Sequence, residues 1–85
     1  MTAKIEIYTT NYCPYCTKAK QLLTSLGATY QEKNVTDDQS GRIEAIERSG
    51  GRRTVPQIFI NDKPMGGFDD INFLHMKGEL EELLK

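Results

Sequence analysis

Ile5-Glu6-Ile7-Tyr8-Thr9-Thr10-Asn11-Tyr12-Cys13-Pro14-Tyr15-Cys16 decides how this chain folds, because its pattern changes period in the middle. Ile5 to Thr9 alternates apolar with polar and is rich in β-branched residues, which predicts a first strand. Asn11 to Pro14 interrupts it. From Tyr15 onward Tyr15, Ala19, Leu22, Leu23 and Leu26 recur at helical spacing, with Lys18, Lys20 and Gln21 on the other side, and Gly27 supplies the stop. The two cysteines therefore fall where a strand hands over to a helix.

Working outward, Thr29 to Val35 predicts a second strand anchored by Tyr30 and Val35. Thr36 to Ser40 has the composition of a helix start, and a second helix follows through Ile43, Ala45 and Ile46 to Gly50-Gly51. Val55 to Ile60 is the third and most apolar strand. Asn61-Asp62 turns it into a short partner, Lys63 to Met65. Asp69-Asp70 opens a third helix through Ile71 and Leu74 to Met76, and Gly78 separates a last short helix carrying Leu80, Leu83 and Leu84. The order is β-α-β-α-β-β-α-α. A helical crossover makes the first two strands parallel and a hairpin makes the last two antiparallel, giving a mixed four-stranded sheet flanked by helices.

Eighty-five residues make one domain, 1–85, with an economical core: a chain this short buries roughly 60–65% of its unfolded surface. The formal net charge of -1 removes the concentrated basic surface that nucleic-acid binding needs. No apolar run is long enough to span a membrane, and no secretory leader pattern is present, so the expectation is a cytoplasmic protein. Two cysteines three apart point to redox chemistry or metal binding rather than a secreted disulfide framework.

At a helix start the first N–H groups lack partners and carry partial positive charge, which favours an anion. A thiolate at Cys13 would be stabilised there, with its pKa below that of a free cysteine. Pro14 suits the first helical turn, since the N–H it lacks would have no partner. Cys16, one turn on, can reach Cys13 and should be the less exposed sulfur. A zinc site would need four ligands, and His75 is the one further soft candidate, so no metal is expected. Two further stretches bear on the site. Thr54-Val55-Pro56 precedes the apolar strand, where a cis proline would turn backbone groups of Val55 outward. Gly66-Gly67-Phe68-Asp69-Asp70 lets a ligand approach the backbone at a helix N-terminus, although acidic residues in a first turn are common for capping alone.

Cys13-Pro14-Tyr15-Cys16, Thr54-Val55-Pro56 and Gly66-Gly67-Phe68-Asp69-Asp70, taken in order and spacing, resemble the glutaredoxin family, specifically its short bacterial dithiol type, over nearly the whole chain. The resemblance implies a thioredoxin-like fold with Pro56 in cis. It also implies thiol–disulfide exchange with Cys13 as nucleophile, Cys16 as resolving thiol and glutathione as co-substrate, with no tightly bound cofactor. Val55, beside Thr54 and Pro56, would pair with the cysteinyl backbone of glutathione. Asp70, with Asp69 and the N–H groups of Gly67 and Phe68, would hold the γ-glutamyl end, and Tyr15 would line the groove. Arg53 or Arg52 is the candidate for the glycyl carboxylate, because Thr10 stands where many relatives carry lysine. The implied partners are disulfide-containing or glutathionylated proteins, ribonucleotide reductase among them, met by a monomer. Two rivals remain: an iron–sulfur carrier, whose relatives more often resemble Cys-Gly-Phe-Ser, and a thioredoxin-like donor, whose Trp-containing motif is absent from a chain without tryptophan.

Overall fold

The computed structural model describes residues 3–85 and contains eight elements: β1 (Ile5–Thr9), α1 (Pro14–Ser25), β2 (Gln31–Asn34), α2 (Gln39–Arg48), β3 (Gln57–Ile60), β4 (Lys63–Gly66), α3 (Phe68–Met76) and α4 (Leu80–Leu84). The sheet runs β2-β1-β3-β4, with β1 parallel to β2 and antiparallel to β3, and β3 antiparallel to β4. The predicted element order and mixed sheet are both present. Asn61 and Asp62 have positive φ, 52° and 67°, as a tight two-residue hairpin turn demands.

Alternation along β1 and β3 divides the core in two. Ile5, Ile7, Ile58 and Ile60 meet Ala19 and Leu23 of α1, Ile71 of α3, and Leu80 and Leu84 of α4. Tyr8 and Phe59 face the other way, toward Val35 and Ala45 of α2. Every residue of β1 is buried, Glu6 included, because this central strand is covered on both faces.

Three expectations change in detail. The second strand shortens to Gln31–Asn34, a mostly exposed edge whose anchors lie just outside it: Val35 is buried and Tyr30 half-buried. The third strand starts at Gln57 rather than Val55, since the chain turns through a cis Val55–Pro56 bond before joining the ladder. Ile43, one of the apolar residues that mark the second helix, is 48% exposed, and Ala45 takes the buried position of α2.

Candidate active site

Cys13 is the N-cap of α1. Its Sγ accepts a hydrogen bond from Cys16 N at 3.0 Å, and Pro14 takes the first helical position. A thiolate there gains both a direct N–H donor and the positive end of the helix. The structure holds the pair oxidised, with Cα atoms 5.2 Å apart, a separation ordinary for a disulfide. Cys13 is partly exposed while Cys16 is 1% exposed, so only the first sulfur is open to attack or to be attacked. Val55 O lies 3.6 Å from Cys13 Sγ, within reach of a thiol S–H in the reduced form.

Beside the sulfurs lies a cleft of about 150 Å³. Tyr15 and Phe68 form its walls, ring centroids 6.2 Å apart. Thr54, Val55 and Pro56 supply one backbone rim, and Gly67, Asp69 and Asp70 the other, at the start of α3. Eight of the site residues singled out by sequence thus line one depression, and Cys13 lies beside it, within reach of Val55 O. Arg53 is the exception. It lines a second hollow with Val35, Arg42 and Ala45, whereas Arg52 borders both that hollow and the cleft. Of the two candidate arginines, Arg52 is therefore the one that borders the cleft.

Arg52 is already engaged there. Both its Nη atoms lie 3.4 Å from Asp70 Oδ2, and that same oxygen accepts from Gly67 N at 2.8 Å. Asp70 therefore both caps α3 and ties the two rims together. A Cβ on Gly66, whose φ is 88°, would collide with the Asp70 carboxylate and Arg52, so a glycine is required at that point. Of the two lysines on α1, Lys20 is held away at Glu32 Oε2 (3.0 Å), whereas Lys18 Nζ sits 5.1 Å from the Tyr15 ring centroid. Lys18 is thus the cation on the cleft's aromatic wall. His75, in the last turn of α3, is half-buried. Among the described residues no group of three or more His, Cys, Asp or Glu side chains is placed to hold a metal.

Gln57 was not anticipated. It is buried behind the Thr54–Pro56 rim and bonds to Thr54. The visible signal was an amide at the head of the most apolar strand.

The family model described as Glutaredoxin matches residues 5–65. Glutaredoxin 3 of Escherichia coli is 49% identical over 83 residues, spanning 98% of this chain and 99% of the relative. A probable glutaredoxin of Synechocystis is 44% identical over 84 residues, spanning 99% and 96%. Among solved structures, a buckwheat glutaredoxin–glutathione complex superposes with a TM-score of 0.86 at 31% identity, covering 98% of this chain and 77% of that one. The solution structure of a Brucella melitensis glutaredoxin gives 0.84 at 45% identity, covering 96% and 88%.

Proposed function

This chain belongs to the glutaredoxin family and is a thiol–disulfide oxidoreductase, and from that premise we propose that it works with glutathione as its reductant. The carrying observation is the asymmetry of the two sulfurs: Cys13 capped by an N–H and open beside a cleft, Cys16 buried one turn behind it.

In the proposed cycle Cys13 thiolate attacks the glutathione sulfur of a mixed disulfide, and the substrate leaves as a thiolate that takes a proton from solvent. A second glutathione thiolate then attacks the glutathione sulfur bound to Cys13, releasing Cys13 thiolate and glutathione disulfide. With a protein disulfide, Cys13 attacks one sulfur and Cys16 displaces the substrate, leaving the Cys13–Cys16 bond, which two glutathiones reduce. Family dithiols lie at about −200 to −230 mV, close to the glutathione couple, so both directions are accessible.

The cleft supplies complementary chemistry for the tripeptide. Val55 offers backbone groups to an extended cysteinyl residue, with Thr54 and Pro56 shaping the rim and Tyr15 and Phe68 enclosing the stem. Asp69 and Asp70 suit the γ-glutamyl ammonium, and the N-terminal turn of α3, from Gly67 and Phe68, suits its carboxylate. Arg52 would exchange Asp70 for the glycyl carboxylate, replacing one exposed ion pair with another. Disulfide-containing and glutathionylated proteins are the proposed substrates, ribonucleotide reductase among them, served by a cytoplasmic monomer with no tightly bound cofactor. No helix among the described residues is long and apolar enough to cross a membrane.

Turnover of a glutathionylated peptide, coupled to glutathione reductase, tests the reading. Cys13→Ser should lose all activity, whereas Cys16→Ser should keep deglutathionylation and lose reduction of protein disulfides. An active Cys13→Ser protein, or a wild type reduced by thioredoxin reductase but not by glutathione, would sink it.

A further inference from the structure

Gln57 heads the apolar strand β3, followed by Ile58, Phe59 and Ile60, and is 1% exposed. Its Nε2 donates twice to one residue, to Thr54 O at 2.8 Å and to Thr54 Oγ1 at 3.2 Å. Its Oε1 is buried without a hydrogen-bond partner among the described residues. A buried acceptor left unpaired forfeits its hydration with nothing in return. An apolar side chain of the same volume would avoid that penalty, so the amide is poorly chosen for stability alone.

What the amide does instead is hold a loop. Residues 51–54 are exposed, and the loop is tied at Arg52 by the Ser49 hydroxyl and at Thr54 by Gln57. The next residue, Val55, lines the cleft and places its carbonyl 3.6 Å from Cys13 Sγ. We infer that Gln57 is a positioning residue for the cleft: by clamping Thr54 from behind, it holds the Val55 backbone at the cleft rim, where a tripeptide can pair with it. A rim ordered in advance spares the ligand the entropy of ordering it on binding. The inference rests on the proposed glutathione reading for its kinetic consequence, though not for the clamp itself.

Gln57→Met keeps length and volume while removing both the donor and the orphaned acceptor. The thermal midpoint should stay level or rise. KM for a glutathionylated peptide should increase about 3- to 10-fold, the worth of one net hydrogen bond, with kcat changed less than about twofold. A folded Gln57→Met enzyme with unaltered KM would overturn the inference, as would a fall in midpoint with unaltered KM, which marks a purely structural role. Amide exchange at Thr54 and Val55, followed by NMR in both proteins, decides the clamp without any substrate. Exchange should quicken several-fold in the variant, and equal rates refute the clamp. A wild type inert toward glutathione would defeat the proposed function, and the exchange comparison would still judge Gln57.

Discussion

The two faces of the sheet are held by different physics. On one, nine buried apolar residues from β1, β3, α1, α3 and α4, with Ala28 from the loop after α1, form a continuous core. On the other, four buried apolar residues carry a web of charge. Glu6, 5% exposed on the central strand, receives Arg48 at 2.9 and 3.2 Å and Lys33 at 3.3 Å. Arg48 also donates to Tyr8 Oη at 2.8 Å and stacks 4.1 Å from the Phe59 ring centroid, while Tyr8 Oη donates to Glu44 of α2. Apolar burial on the first face gains stability in proportion to area, a contribution that does not itself titrate. The charged face depends on its pairing, because Glu6 is buried and its charge must be met by Arg48 and Lys33. The redox pair belongs to the first face: Cys16 sits on α1 near Ala19, behind the open sulfur.

The sharpest way to break the comparison is to damage each face once. Leu23→Ala opens a cavity at a fully buried position of the apolar face and should cost about 3–4 kcal/mol, read as a lowered denaturation midpoint in urea. Activity per folded molecule should also fall, since α1 carries both sulfurs. Arg48→Met leaves Glu6 buried without its main partner. Loss of a buried ion-pair partner typically costs 3–5 kcal/mol, but Lys33 and Lys4 remain 3.3 and 3.9 Å from Glu6, so about 2 kcal/mol is expected. This second variant should keep its turnover of glutathionylated peptide, because α2 does not touch the sulfurs. Equal losses of activity in both would erase the functional distinction between the faces.

The apolar face was legible in the sequence and the charged face was not. Periodicity names residues that bury area, and Ile5, Ile7, Ala19, Leu23 and Ile71 were all found that way. Glu6 alternates with them and reads as solvent-facing. Its burial depends on β1 becoming a central strand with α2 across its second face, a fact of tertiary assembly. The site divides along the same line. Cys13, Cys16 and the Thr54–Pro56 and Gly66–Asp70 stretches are local motifs, visible in linear order. Choosing Arg52 over Arg53 required knowing which of the two borders the folded cleft, and Gln57 required knowing that β3 starts behind their loop. Ile43 shows the converse error, an apolar residue of the second helix's pattern that α2 leaves 48% exposed.

Acid should separate the faces most finely, and with the smallest effect. The Glu6 carboxyl is held below its ordinary range, chiefly by the Arg48 hydrogen bonds, with burial opposing and Lys33 assisting. Glu44 is lowered likewise by Tyr8 and Lys33. A carboxyl whose folded pKa lies below its unfolded value binds fewer protons when folded, so its stabilisation is fully present above the unfolded pKa, near 4.3. That stabilisation fades as pH falls through the folded value. Glu32 titrates the same way on the first face, lowered first by the Thr9 hydroxyl, so the whole protein retains some acid sensitivity without Glu6. Glu6→Gln should therefore flatten, but not abolish, the decline of stability below about pH 4.5, measured by urea midpoints at successive pH. Locally the prediction is stricter. Amides of α2, such as Ala45 and Ile46, should open before those of Ala19 and Leu23 as acid is added, because α2 is moored to the sheet chiefly through Glu6 and Glu44, whereas α1 adds a single such pair, Lys20–Glu32, to its apolar packing. Simultaneous opening of both helices would mean that the charged web adds nothing of its own to the attachment of α2.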